Sequence, residues 1–209
     1  MTPLRFDPTS GIALPPAAPR PRPGVDADRA FAENILGTLA TTITDRTTIG
    51  EARAARAGAH APAALVTLLW YPDRPVRFLA DRLRISHHGA VQLSERLERA
   101  GLVERVAGRD GRTRLLALTA QGERAALDTL AARREVLRRA LSAIDDDALA
   151  GFADIVGAML EALADDLLTS EYMCRLCDEL ACPDARCPVE RAEPAPPHRR
   201  GTGYGVDES

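Results

Sequence analysis

The chain has 209 residues, of which 45% are hydrophobic and only 4% aromatic, and its formal net charge is −3. This length suits one compact domain with tails or two small domains, and the composition favours a helical core of Ala, Leu and Val. No apolar run is long enough to span a membrane and the N-terminus lacks a secretory signal pattern, so we expect a cytoplasmic protein with no membrane partner, whose thiols stay reduced.

The first part of the chain divides into a tail and a helical segment. Residues 1–25 are rich in Pro and without periodicity, which predicts a disordered tail. From about Asp26, apolar residues recur at helical spacing, and the run Thr47 to Gly50 is expected to end this helix. The helical apolar residues are Phe31, Ile35, Leu36, Leu39 and Ile43.

The central part predicts two short helices that follow a first, apolar helix over 62–70. One short helix spans 75–83, and a second begins after Ser86 and continues to about Ala100. Ser86 is a suitable N-cap, because its hydroxyl can accept a hydrogen bond from a backbone N–H of the first turn. Gly101 suits the left-handed conformation that ends many helices.

Two strand-like runs follow, over 102–106 and 113–118, separated by a Gly-containing turn, and together they predict a β-hairpin. A long helix then extends to about Leu141, and another begins at the three acids from Asp145, which complement the helix dipole. The predicted organisation is a tail (1–25), an N-terminal helical segment (26–60), a winged helix-turn-helix (61–122), C-terminal helices (123–173), a cysteine segment (174–190) and a second disordered tail (191–209).

Positive charge is concentrated in the centre of this acidic chain. Between Arg74 and Arg114 there are ten Arg and five acidic residues, which gives this window a charge of +5. A local excess of Arg on an otherwise acidic protein is typical of a surface that binds phosphate groups.

Two short helices joined by a tight turn and followed by a hairpin with a charged tip predict a winged helix-turn-helix. In such a domain the second helix enters the major groove of DNA, where Gln can pair with adenine and Arg with guanine. The hairpin, or wing, brings Arg to phosphate or into the minor groove. The predicted DNA-contacting residues are Ser86, His87, His88, Gly89, Gln92 and Arg96 on the helix and Arg109, Asp110, Arg112 and Arg114 on the wing.

Three stretches of this region resemble the MarR family of bacterial regulators: SHHGAVQLSERLERAGLVER (86–105), RDGR (109–112) and LTAQG (118–122). The resemblance covers roughly residues 28–170 and is most specific over 78–122. It implies a mainly α fold with a small β-wing, a homodimer built by the N- and C-terminal helices, and binding to a palindromic DNA operator. It further implies a repressor that a small ligand or an oxidant releases, with Asp110 positioning Arg112.

The cysteines of the chain all lie within a short C-terminal segment with the spacing C-x2-C-x4-C-x4-C: Cys174, Cys177, Cys182 and Cys187. Four thiolates can complete a tetrahedral zinc shell, and this spacing resembles the zinc knuckle with Cys182 in the place of its His. The knuckle's usual glycine is replaced by Asp178, and Cys-Pro pairs also close many ferredoxin motifs. Zinc is the first choice, with an iron–sulfur cluster and redox-active thiols as the alternatives.

The sequence therefore predicts a dimeric, DNA-binding transcriptional regulator that carries a metal-thiolate segment. One alternative is an enzyme in which the cysteines form a catalytic or electron-transfer centre. The chain contains no phosphate loop, nucleophile elbow or dinucleotide fingerprint, so no enzymatic activity is expected. The other alternative is a protein-interaction module built on a winged-helix scaffold. The cysteine segment is expected either to staple the C-terminal end or to sense metal or redox state.

Overall fold

A computed structural model of the chain describes residues 24–50, 57–164, 170–182 and 187–192. The predicted disordered tails lie outside these ranges, apart from four residues at their inner ends. Gly24 forms a turn and Val25 begins a helix, while Arg191 and Ala192 belong to a short C-terminal helix. For these residues the prediction of disorder was wrong.

The described part of the chain is mainly helical with one small antiparallel sheet, which confirms the predicted fold class. In chain order the elements are α1 (Val25–Gly50), α2 (Ala61–Trp70), α3 (Val76–Leu83), α4 (His87–Arg99), β1 (Val103–Ala107), β2 (Arg114–Leu118), α5 (Ala120–Leu141), α6 (Asp146–Leu163), α7 (Ser170–Met173) and α8 (Pro188–Ala192). No helix among the described residues is both long enough and apolar enough to cross a membrane.

The chain divides into two compact units, Met1–Thr44 and Asp45–Ser209. In the first unit, α1 accommodates several Thr residues whose hydroxyls donate hydrogen bonds of 2.9–3.0 Å to the carbonyl four residues earlier.

The predicted break at Thr47 was wrong, because α1 continues to Gly50. Thr47 is buried, and packing commonly outweighs the small helix penalty of a β-branched side chain.

The second unit has one hydrophobic core beneath the helix-turn-helix. Its largest members are fully buried leucines contributed by α2, α3, α4 and β2: Leu65, Leu68, Leu79, Leu83, Leu93, Leu97 and Leu116. Each buried Leu contributes about 1.5–3 kcal/mol through removal of apolar surface from water. This core fixes α3 and α4, the two helices of the predicted helix-turn-helix.

The hairpin forms as predicted. Strands β1 and β2 pair antiparallel, with Val103 opposite Leu118 and Ala107 opposite Arg114. Arg74, in the segment before α3, adds a further bridge on the other side of β2, where its carbonyl accepts a hydrogen bond of 2.8 Å from the Leu116 N–H. The hairpin is therefore held to the segment that leads into the helix-turn-helix.

Candidate nucleic-acid interface and cysteine segment

Helix α4 begins at the predicted cap. Ser86 has extended backbone angles, and its hydroxyl oxygen accepts a hydrogen bond of 3.0 Å from the Gly89 N–H. The preceding turn uses Arg84 in the left-handed conformation, at φ 50°, and the helix ends before Gly101 at φ 68°. Ala90 faces the core, so the opposite face of the first turn is left to solvent.

The solvent-facing side of α4 presents the predicted polar residues. Ser86, His87, His88 and Gln92 are exposed, and Gly89 is half-buried against the cap. The Gln92 side-chain amide lies 2.9 Å from His88 Nε2, one turn earlier, with donor and acceptor set by the imidazole tautomer. This pair places two hydrogen-bonding side chains side by side on the exposed face.

Arg96 differs from the other predicted helix residues. Its side chain is half-buried, and its Nε donates a hydrogen bond of 2.9 Å to the Ala57 carbonyl. A Cβ added to Gly58 would lie 3.4 Å from the Arg96 guanidinium, so a glycine permits this close approach. The contact joins the segment before α2 to α4. The prediction that Arg96 binds DNA stays a prediction, but here its guanidinium serves a contact within the chain.

The tip of the wing is ordered by Asp110. One carboxylate oxygen accepts hydrogen bonds from the backbone N–H groups of Arg112, at 3.0 Å, and Thr113, at 2.8 Å, and the other accepts one of 2.6 Å from the Thr113 hydroxyl. These bonds, chiefly those from Thr113, lower the pKa of Asp110. Gly111 takes the left-handed conformation, at φ 65°, that closes the turn.

Three Arg residues of the wing remain exposed around this ordered tip: Arg109, Arg112 and Arg114. No acidic side chain within the described ranges forms an ion pair with any of them. By contrast, Arg105 on β1 is engaged with Glu98 of α4 at 3.2 Å. The wing therefore presents positive charge on a turn whose shape is set by Asp110, and such charge can neutralise phosphate.

The cysteine segment folds so that the Cys174 thiol approaches those of Cys177 and Cys187. Cys174 hydrogen-bonds with Cys177 and Cys187, and Cys187 is buried. The hydrogen bond with Cys177 and burial raise the pKa of Cys174 well above its usual value. The hydrogen bond from Cys174, assisted by Arg133, lowers the pKa of Cys177 to about 7. Of the two, Cys177 is therefore the more acidic thiol.

The chemistry of the four thiols and their spacing in the sequence suit a metal ion better than the arrangement of their side chains does. Soft sulfur ligands select zinc or iron–sulfur clusters, and half-buried or buried thiols provide a partly dry site. Within the described residues, however, no group of three or more Cys, His, Asp or Glu side chains is arranged to enclose a metal ion. The metal site is therefore indicated by the chemistry of the four thiols rather than by the geometry of the described side chains.

Side chains from the helical core hold the cysteine segment, and sequence reasoning missed all of them. The Trp70 indole N–H donates a hydrogen bond of 3.1 Å to the Cys177 carbonyl. Arg134 of α5 forms an ion pair with Asp178, and Tyr71 hydrogen-bonds with Glu179. These partners lie far apart in sequence, so no local pattern indicates the contacts.

Solved structures with a similar fold include proteins of the MarR family, which the sequence resembles. The YusO protein from Bacillus subtilis has a TM-score of 0.60 at 20% identity, over 66% of this chain and 99% of that chain. A MarR family protein from Bacillus stearothermophilus has a TM-score of 0.56 at 21% identity, over 66% and 96%. A further MarR family transcription regulator has a TM-score of 0.54 at 18% identity, over 66% and 93%.

No protein-family model and no curated protein matches the sequence. The likeness is one of structure, and it extends over nearly the whole length of each neighbour. The chain therefore has the winged helix-turn-helix fold of the MarR family of transcriptional regulators.

Proposed function

We propose that this protein is a MarR-type transcriptional regulator that binds double-stranded DNA through α4 and the wing. The observation that carries the proposal is the pairing of two exposed elements. One is a capped helix whose outer face displays His88 and Gln92, and the other is a wing that displays Arg112 on a turn ordered by Asp110.

The chemistry of the two elements assigns them different roles. The Gln92 amide offers a donor and an acceptor, which matches the edge of adenine in the major groove. The wing Arg residues offer charge and planar donors, which suit phosphate oxygens and a narrow minor groove. Helix α4 would thus read the sequence, while the wing would supply affinity that depends little on sequence.

We further propose that the regulator acts as a homodimer on a palindromic operator. Phe31 of α1 is 65% exposed, and Ile155 and Leu163 of α6 are 62% and 60% exposed. Large apolar side chains at this exposure, taken on each helix by itself, support association through α1 and through α6. A two-fold dimer would present α4 twice, at half-sites about 34 Å apart. A repressor role and release by a small-molecule effector follow from the family resemblance and stay predictions.

We propose zinc as the cofactor of Cys174, Cys177, Cys182 and Cys187. Four thiolates suit tetrahedral zinc, and the approach of the Cys174 thiol to those of Cys177 and Cys187 supports a shared ion. Metal analysis with an absorbance spectrum on protein purified without air would test this. One zinc per chain and no visible band are expected, whereas a brown protein with stoichiometric iron would identify an iron–sulfur cluster instead.

The test of DNA binding is selection from random duplexes, followed by titration of the selected site. We expect a palindromic consensus and a two-chain complex, with affinity falling by roughly three or more powers of ten between about 50 and 200 mM salt. A protein that elutes as a single chain and binds no duplex at the lowest salt would overturn the proposal. Dimerisation without DNA binding would instead support the protein-interaction alternative.

A further inference from the structure

Helix α6 is attached to the rest of its unit mainly through the cysteine segment. It packs along α8, where Val189 is buried and where a Cβ added to Gly157 would lie 3.7 Å from Pro188. Arg191 of α8 forms an ion pair of 2.6 Å with Glu161 of α6. Among the described elements, α6 makes no comparably extensive contact with α2, α3, α4 or α5.

The other end of the segment is seated on the helix-turn-helix. Helix α7 packs on α3, and Leu176 packs against the hydrophobic core. The following residues are held by three contacts already described: Trp70 with the Cys177 carbonyl, Arg134 with Asp178, and Tyr71 with Glu179.

Tyr71 extends this path into the first helix of the helix-turn-helix. The Arg82 guanidinium, on α3, lies 4.2 Å from the centre of the Tyr71 ring and 5.6 Å from that of Phe78. Phe78 and Tyr71 are themselves in tilted contact at 5.7 Å. A shift of the segment would therefore displace the aromatic and cationic side chains that position α3.

The thiols lie between the two attachments. Cys174 directly follows α7, Cys187 directly precedes α8, and their thiols hydrogen-bond to each other. A thiol is a weak hydrogen-bond donor, and exposed ion pairs such as Arg191 with Glu161 contribute little. Coordination of one ion by the same sulfurs, with release of their protons, would make the link much stronger.

We propose that residues 170–182 and 187–192 form a cysteine brace that joins α6 to α3, and that zinc bound by its four thiols locks the brace and thereby raises the affinity for DNA. The proposal rests on the proposed function, since it uses both the zinc site and DNA binding. In physical terms, binding of the metal would change how strongly the position of α6, a candidate dimer helix, depends on that of α3 in the helix-turn-helix.

The experiment uses the full chain in three states: zinc-loaded, stripped by a chelator under reducing conditions, and reloaded with zinc. Hydrogen exchange is measured in α3 and α6, and affinity is measured on a selected duplex. We expect stripping to speed exchange in both helices and to weaken DNA binding by at least about fivefold, the lower end of typical coupling between sites. Reloading should restore both.

Two variants break the brace without altering a thiol. Trp70→Phe removes the donor to the Cys177 carbonyl, and Arg134→Gln removes the partner of Asp178. Both variants should still bind one zinc. For each of them, however, the dissociation constant for the duplex should be nearly the same in the stripped and the zinc-loaded protein. Glu135→Gln is the matched control, because it breaks the exposed ion pair with Arg138 on the same helix as Arg134. The control should keep the full response to zinc.

The outcomes separate the two proposals. Failure to bind zinc overturns the proposed zinc site together with the brace, whereas zinc binding with unchanged exchange in α3 and α6 overturns the brace alone. A full zinc response in both Trp70→Phe and Arg134→Gln also overturns it. If loaded protein binds no duplex, DNA binding by this chain is refuted, and so is the effect of the brace on affinity. The exchange data would then still show whether the metal couples α3 to α6.

Discussion

The backbone of Gly122, in the first turn of α5, lies directly against the carbonyl of Leu102 at the start of the hairpin. A Cβ added to Gly122 would lie 2.8 Å from the Leu102 carbonyl carbon, and closer still to its oxygen. The same turn is capped by Thr119, whose hydroxyl oxygen accepts a hydrogen bond of 3.0 Å from the Gly122 N–H. The absence of a side chain at residue 122 thus sets the distance between α5 and the wing.

Gly122→Ala is therefore expected to destabilise the protein, by about 1–3 kcal/mol, because either α5 or the hairpin must move to relieve the overlap. The free energy of urea unfolding would measure this. Gly151→Ala is the matched control, since Gly151 also lies in a helix but has no atom within 4 Å of an added Cβ. The control should be neutral or more stable by up to about 1 kcal/mol. Equal stability of the two variants would show that the Gly122 contact is easily relaxed.

Local patterns were enough to predict the helix-turn-helix, the hairpin and the two long helices that follow it, but not the short helices α7 and α8. The Ser86 cap, the Gly101 terminus and the hairpin each depend on residues within a few positions of one another, and all three are present. The end of α1 was missed because burial of Thr47 is a tertiary effect that outweighs local propensity.

The candidate site was only partly predictable for the same reason. Exposure of the wing Arg residues follows from their place in a polar turn, and the structure agrees. Engagement of Arg96 with the Ala57 carbonyl and of Trp70 with the Cys177 carbonyl joins residues that are 39 and 107 positions apart. Contacts at such separations leave no periodic or local signal in a single sequence.

Removal of the Asp110 carboxylate should weaken DNA binding through the shape of the wing. Asp110→Ala removes one negative charge, which by electrostatics alone would strengthen binding to phosphate. It also removes the three hydrogen bonds that order the tip. We expect the second effect to dominate, with affinity lower by roughly three- to tenfold and stability changed by less than about 1 kcal/mol. Titration of a selected duplex and urea unfolding measure the two quantities.

Glu104→Gln is the control for the charge term, because Glu104 is an exposed acid on β1 that lies outside the Asp110 network. It should leave affinity unchanged or slightly higher. If Asp110→Ala also bound more tightly, the ordered tip would have no role in DNA binding.

Arg112→Ala should weaken binding to every duplex by a similar factor. Arg112 is exposed on the wing, and its backbone N–H, rather than its guanidinium, is the group that Asp110 holds. A side chain that contacts phosphate carries no sequence information. Its loss should make the fall of log affinity with log salt less steep, by about one unit of slope. Binding measured at several salt concentrations on selected and scrambled duplexes provides the test. A loss confined to the selected duplex would assign Arg112 to base recognition instead.

Gln92→Ala should change sequence preference with a smaller effect on scrambled duplexes. Its amide is exposed on α4 and lies beside His88 Nε2, so the substitution removes one hydrogen-bonding group from the reading face without touching the core. A well-placed pair of hydrogen bonds to one base discriminates by about 1–3 kcal/mol, so one position of the consensus should lose its preference. Selection repeated with the variant would identify that position. Because the buried face of α4 is unchanged, its unfolding free energy should match that of the wild type. An unaltered consensus would exclude Gln92 from base recognition and leave His87 and His88 as the remaining candidates on this face.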